Sequence, residues 1–411
     1  MSDHPLSGVT VIEVGSFIAA PWATMQLADL GARVIKVETP GTGDFVRGNA
    51  PYVGGESSSF LRLNRGKESV ELDLKSDTGR DAFRRLVATA DVLVENLRPG
   101  AMRRLGLGYD DLAAEQPGLV YASASGWGQD GPLADQPGLD IMAQARSGLM
   151  SITGFRDAGP AKVGVPICDL VCAMYVALGV TAALRERDRS GRGQHLDVSL
   201  HEAGVSLGVW EAGRWFGDGT VPGPQGSAHQ SQAPYQAVVT ADGHVTVGAN
   251  TPGLWTRFCD ALGLADLAAD ERFADNAGRM RHRDALVAGI EAVTGTRGTA
   301  DVLAALQAAG VPCAPIQTYD QVFTDPALEA RDFYWDAEHP TLGDVRQVGS
   351  PMRFSRTPTR RGRAAPPLGH DTDAVLAGLE PSTGPGTEPG TDAVTHADAD
   401  RDADRDAEEH A

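Results

Sequence analysis

The segment from Val163 to Leu184, VGVPICDLVCAMYVALGVTAAL, constrains the fold more than any other, because an almost unbroken apolar run is opened by a single carboxylate. A run of this kind reads as a helix covered by the protein interior. Asp169 follows the Pro166 turn and stands immediately before the run. An aspartate there can cap the helix by accepting hydrogen bonds from the open N–H groups of the first turn. The same position suits a nucleophile, since a helix N-terminus favours the charged carboxylate and an apolar wall excludes water. The two roles are compatible.

Upstream, the chain reads as alternating strands and helices. Gly8 to Val14 is a short β-branched run, Pro21 to Leu30 a helix stopped by Gly31, and Arg33 to Glu38 a second strand, which together make a βαβ unit. Glu38 stands where a dinucleotide fold keeps its ribose-binding acid, but the loop GSFIAAP carries one glycine rather than G-x-G-x-x-G, which counts against a dehydrogenase. Arg62, Arg65 and Lys67 precede the alternating strand ESVELDL and read either as a solvated loop or as a phosphate contact. The strand Asp91 to Val94 leads into Glu95-Asn96-Leu97-Arg98-Pro99-Gly100. Loops after strand ends hold ligands in open α/β sheets, which singles out Asn96, Arg98 and Arg104. A glycine-rich loop, SGWGQDGP, follows the strand Leu119 to Ser123, and GLDIMAQARSG follows that.

The chain divides by composition. Residues 1–216 read as the N-terminal part of a large α/β domain and 217–233 as a Gly/Pro/Ser/Gln-rich linker. A smaller α+β domain at 234–325 opens on a hairpin signal around Asp242-Gly243, and 326–380 returns to the large domain. The tail 381–411 is expected to be disordered and solvating. It carries nine acidic residues against Arg401 and Arg405, a balance of −7 that leaves −12 of the total −19 to the rest. Such acidity disfavours nucleic-acid and membrane-surface partners. The apolar run Leu170 to Leu184 reads as too short to span a bilayer and nothing resembles a signal peptide, so a cytoplasmic protein is expected. The four cysteines, Cys168, Cys172, Cys259 and Cys313, form no disulfide or metal pattern and read as buried thiols.

Taken in order, these motifs resemble the type III CoA-transferase family, which also includes the α-methylacyl-CoA racemases. The matching residues are the opening strand-loop-helix with Pro21, RVIKVE, NRGKESVELDLK, ENLRPG, SGWGQDGP, DIMAQARSGLM, the CDL around Asp169, SGRGQHLDVSL, APYQAVVTADG, AGVPCAPI and Asp325-Pro326. They run from about Leu6 to Pro326 and continue more weakly to Leu379. The resemblance implies a Rossmann-like large domain built from both chain ends with a smaller α+β domain inserted, and two subunits interlinked as a homodimer. It implies transfer of CoA from an acyl-CoA donor to a carboxylic acid acceptor with no metal or redox cofactor, and it makes Asp169 the catalytic residue. By motif match the CoA-binding residues are Phe17, Ile18, Leu72, Lys75, Asn96, Leu97, Arg98 and Arg104, with Asp140 near the reacting end and Gly223 to Gln232 as a shielding loop. Thr39 and Pro137 stand where some members carry cations, and GPQGSAHQSQ replaces the polyglycine that others use as a lid.

Two other functions are compatible with the resemblance. A 2-methylacyl-CoA racemase needs an acid/base pair on the two faces of the α-carbon. The resembling racemases place a histidine before the aspartate of GHD, where this chain reads Gly138-Leu139-Asp140, and leucine cannot accept a proton. A non-catalytic CoA-binding protein would be favoured if Asp169 proved dispensable.

Overall fold

The computed structural model describes residues 4–379, so the tail expected at 381–411 lies outside the described residues. Six of the short apolar runs become strands β1 (Thr10–Val14), β2 (Arg33–Glu38), β3 (Lys67–Glu71), β4 (Val92–Glu95), β5 (Val120–Ser125) and β6 (His195–Ser199). They form one sheet in the order β3-β2-β1-β4-β5-β6, and every neighbouring pair is parallel. This is the doubly wound order, whose direction of winding reverses between β1 and β4. Every residue of β4 and β5 is buried, as expected where helices cover both faces of a parallel sheet. Alternate side chains serve opposite faces: Val11, Val34, Val94 and Ala122 join one core, Ile12, Ile35, Leu93 and Tyr121 the other.

The first core is covered by helix α1 (Ala19–Asp29) and by the long helix that carries Asp169; the second is covered by α2 (Asp77–Val87). Further helices on the Asp169 side are α3 (Asp140–Arg146), α4 (Ile167–Ser190, the long helix), α5 (Leu200–Ser206) and α6 (Val209–Asp218). Two expectations about α4 are corrected. The helix continues past the apolar run through the charged residues Arg185 to Ser190. With 24 residues and a mean hydropathy of 2.0 over its most apolar window, it is long and apolar enough to cross a membrane. Its inner face, with Cys168, Cys172, Ala173, Val176 and Val180 fully buried, packs against α1 and β5. The residue at its N-cap is Pro166, so Asp169 lies inside the first turn instead of capping it.

Beneath the loop that follows β1 lies a fully buried network of charge. The Glu13 carboxylate accepts from Lys36 Nζ at 2.5 Å, Lys67 Nζ at 2.7 Å and Thr24 Oγ1 at 2.5 Å. Lys36 also pairs with Asp44 at 2.8 Å and donates to the Gly15 carbonyl at 2.9 Å. Burial by itself would raise the Glu13 carboxyl, but the two ammonium groups outweigh it and hold its pKa below the ordinary value. For two of the three cations at the start of β3 neither reading holds, because Lys67 is buried on Glu13 and Arg65 is buried on Asp29 at 2.6 Å. Glu38 is likewise committed to the protein, with both oxygens on Arg47 at 2.7 Å.

After α6 the chain forms a third, separate core. Strands β7 (Tyr235–Thr240) and β8 (Gly243–Gly248) make the hairpin marked by Asp242-Gly243, and β9 (Cys313–Pro315) pairs with β8 to complete an antiparallel sheet. Helices Pro252–Leu262, Arg283–Thr294 and Thr299–Ala308 close over it through Trp255, Phe258, Leu286, Ile290 and Leu306. The chain then returns to the large sheet. The Asp371 carboxylate accepts from the Ser69 amide at 2.8 Å, Thr372 Oγ1 accepts from the Glu71 amide at 3.0 Å, and Val375 joins the second core beside β3. All four cysteines are free.

Glu13→Gln removes the anion shared by two buried ammonium groups and is expected to destabilise the fold by about 3–5 kcal/mol, as for other broken buried pairs. Equilibrium denaturation measures it, and a loss within experimental error contradicts a structural role for the network.

Candidate functional site

The loops after β1, β4, β5 and β6 meet at the carboxyl edge of the sheet and enclose a cavity of about 470 Å3. Phe17, Ile18 and Ala19 contribute from the β1–α1 loop, Asn96 from the end of β4, and Ala124, Ser125 and Gly126 from β5. The opposite wall is Gly138 to Ile141, Lys162 and Asp169, with Leu200 after β6. This is the crevice where open α/β sheets bind ligands.

The β1–α1 loop is clamped from two sides. Asn96 accepts from the Ser16 amide at 3.0 Å and donates to the Ser16 carbonyl at 2.8 Å. Asp44 accepts from Ser16 Oγ at 2.6 Å and from the Phe17 amide at 3.2 Å, and Phe17 takes a left-handed φ of 65° that presents its half-exposed ring beside Phe45. Gly15 is required here, since a Cβ would lie 2.8 Å from both Asn96 Oδ1 and Ala20 Cβ. Across the cavity, Gly126 and Gly138 cross so closely that a Cβ on Gly126 would lie 2.8 Å from Gly138 Cα. That crossing sets Leu139 and Asp140 in the wall.

Asp140 takes the capping role expected of Asp169. Its Oδ1 accepts from the amides of Cys168 at 2.9 Å and Asp169 at 3.4 Å, which belong to the open first turn of α4. Its Oδ2 accepts from Gln144 Nε2 at 2.6 Å, and Gln144 Oε1 accepts from the Val163 amide at 2.9 Å, which ties the segment before α4 to the same carboxylate. Asp169 is thereby left without a cap bond of its own. Burial, and then the neighbouring Asp140 charge, push its carboxyl up to about 7. Burial and the Asp140 charge thus oppose the charged form that a helix N-terminus favours. A desolvated carboxyl near neutrality on the floor of an apolar cavity is suited to nucleophilic attack on a carbonyl once deprotonated.

Of the residues singled out from sequence, Phe17, Ile18, Asn96, Asp140 and Asp169 line this one cavity. Leu97 sits half-buried on the second core, its amide donating to Glu95 Oε2 at 2.8 Å. Arg98 lines a separate cavity of about 260 Å3 with Glu95, Ser123 and His195, on the other face of the sheet. Arg104 is exposed at the end of the short helix Ala101–Arg104. Leu72 follows β3, where its side chain is buried in the second core, and Lys75 is exposed just beyond it. No residue of Gly223 to Gln232 lines the Asp169 cavity; Gly226 instead donates to the Gly154 carbonyl at 2.8 Å. Sequence reasoning missed Lys162, which stands one residue before the apolar segment that drew attention to Asp169.

Asp140→Asn keeps an oxygen acceptor for the helix amides and removes the like charge. Labelling of Asp169 by a carbodiimide, which needs the protonated carboxyl, should fall as pH rises through about 7 in the wild type and at lower pH in the variant. Peptide mass spectrometry reads both midpoints, and an unmoved midpoint contradicts the coupling.

The chain matches known proteins over most of its length. The model of CoA-transferase family III matches residues 6–372. The chain is 39% identical over 383 residues to the succinate–glutarate CoA-transferase of Agrobacterium fabrum, covering 92% of this chain and 96% of that one. It is 38% identical over 352 residues to the acetyl-CoA:oxalate CoA-transferase of Acetobacter aceti, covering 85% and 89%. The crystal structure of a CAIB/BAIF family protein from Brucella suis superposes with a TM-score of 0.84 at 37% identity, covering 92% of this chain and all of the other. With the family model spanning the sheet, the cavity and the return to β3, the chain belongs to CoA-transferase family III.

Proposed function

We propose that the protein transfers CoA from an acyl-CoA to a free dicarboxylic acid through covalent intermediates on Asp169. The observation that carries this reading is the Asp169 carboxyl, raised to about 7, on the wall of an apolar cavity at the winding reversal of the sheet. An Asp169 oxygen attacks the thioester carbonyl, the C–S bond breaks, and a mixed anhydride and a CoA thiolate result. The thiolate attacks the aspartyl carbonyl, the donor acid leaves as its carboxylate, and an aspartyl-CoA thioester remains. The acceptor carboxylate then attacks the thioester and releases the thiolate. The thiolate returns to the acceptor's acyl carbon, giving the new acyl-CoA and free Asp169. No proton, metal or redox equivalent is consumed. Backbone N–H groups of the glycine loops that line the cavity would stabilise each oxyanion, a contribution of about 3 kcal/mol per donor in other enzymes.

The acceptor class follows from the relatives, whose names specify succinate, glutarate, oxalate and mesaconate. Proton abstraction from a 2-methylacyl-CoA has less support, because Leu139 in the cavity wall offers no base. The nucleotide end of CoA is assigned to the strand-end loops bearing Lys75, Arg98 and Arg104, since an anionic ligand needs local cations on an acidic protein. A second copy of the chain is the proposed cover for the apolar outer surface formed by Met174, Tyr175 and Leu178 on α4 with Trp210, Trp215 and Phe216 on α6, all exposed in the single chain. The cytoplasm is the proposed location.

The test is to mix the protein with a panel of acyl-CoAs and trap with hydroxylamine or borohydride. The expected result is a peptide modified at Asp169 and absent from Asp169→Ala. No adduct with any donor, together with α-proton exchange into deuterated water, would replace this reading with a racemase.

A further inference from the structure

We infer that Lys162 sets the specificity of this cavity by binding the second carboxylate of a dicarboxylic acid. The inference rests on the reading of Asp169 given above and assigns a role to a residue outside it. Among the residues lining the cavity, Asp140 and Asp169 are acidic and Lys162 is the only cation. Asp140 accepts from two helix amides and from Gln144, and as an anion it offers no counter-charge to a carboxylate ligand. A diacid that places one carboxylate at Asp169 meets like charge there, and its other carboxylate finds a counter-charge only at Lys162.

The position of Lys162 is built. The next residue, Val163, donates its amide to Gln144 Oε1 at 2.9 Å, and Gln144 Nε2 donates to Asp140 at 2.6 Å. The backbone beside Lys162 is thus referenced to the carboxylate that caps the helix bearing Asp169. The ammonium has no carboxylate partner among the described residues. It donates to the Val163 carbonyl at 3.1 Å, forms no ion pair among the described residues, and is exposed at the cavity. A buried structural lysine in this same protein looks different, as Lys36 and Lys67 show with their carboxylate partners and full burial. Phe17, Ile18, Leu139 and Leu200 line the same cavity with apolar surface, which suits the carbon chain of a small acid.

A site that pairs a substrate charge discriminates strongly against the analogue lacking it. The test compares kcat/KM for succinate with butanoate, and for glutarate with pentanoate, in the wild type, Lys162→Met and Lys162→Arg, with one acyl-CoA donor. The diacid-over-monoacid ratio should exceed one in the wild type. It should fall about 10- to 100-fold in Lys162→Met, the scale of one charge-assisted hydrogen bond. Lys162→Arg should restore most of it. The donor-dependent adduct on Asp169 is followed in the same samples. A wild type that forms the adduct and turns over acids, with a ratio unmoved in Lys162→Met, overturns the role of Lys162 alone. A wild type that forms no adduct and transfers no CoA overturns the transferase reading, and this inference with it.

Discussion

One helix end puts two neighbouring carboxylates into different environments. The first turn of α4 can be satisfied by a single side chain, and Asp140 takes that place through the amides of Cys168 and Asp169. The second carboxylate, Asp169, is then held close to a like charge and away from water, without the hydrogen bonds that would keep it strongly acidic. Two aspartates in neighbouring segments are separated into a helix-capping anion and an uncapped carboxyl by which of them reaches the open amides. The carboxyl near neutrality follows from that division.

The division depends on scaffolding that lies far from α4 in the chain. Asp140 reaches the helix because Gly126 and Gly138 allow two backbone segments to cross at van der Waals distance. The facing wall depends on the buried network of Glu13, Lys36, Lys67 and Asp44, since Asp44 both pairs with Lys36 and holds Ser16 and Phe17. Buried charge is expensive to desolvate, and an apolar substitute of equal volume is often no less stable. Its use here places a loop. Asp44, which pairs with Lys36, also accepts from the Phe17 amide and so holds the loop at the cavity mouth.

Much of this was legible in the sequence, for local reasons. Strands such as TVIEV and DVLVE are short β-branched runs whose neighbours are turn residues, and the loops after them carry Phe17, Ile18 and Asn96 to the cavity without any long-range information. Asp169 announced itself by standing at the head of an apolar run. What escaped detection was decided by partners distant in sequence. Lys67 reads as a solvent or phosphate contact until Glu13, 54 residues earlier, is placed beside it. Asp140 reads as a ligand residue until the first turn of α4, 28 residues on, arrives within 2.9 Å. The length of α4 was underestimated because charged residues continue a helix as readily as apolar ones. Lys162 carried no local signal, since one lysine in a Gly/Pro-rich stretch is ordinarily solvated.

The most direct measurement of the covalent account follows oxygen atoms. If the acceptor carboxylate forms an anhydride with Asp169 and the thiolate then attacks the acceptor's acyl carbon, the bridging oxygen stays with the protein. Turnover with an acceptor acid labelled with heavy oxygen in its carboxylate, followed by peptide mass spectrometry, should place heavy oxygen in the Asp169 carboxylate. Turnover that transfers CoA while leaving Asp169 unlabelled would contradict the account.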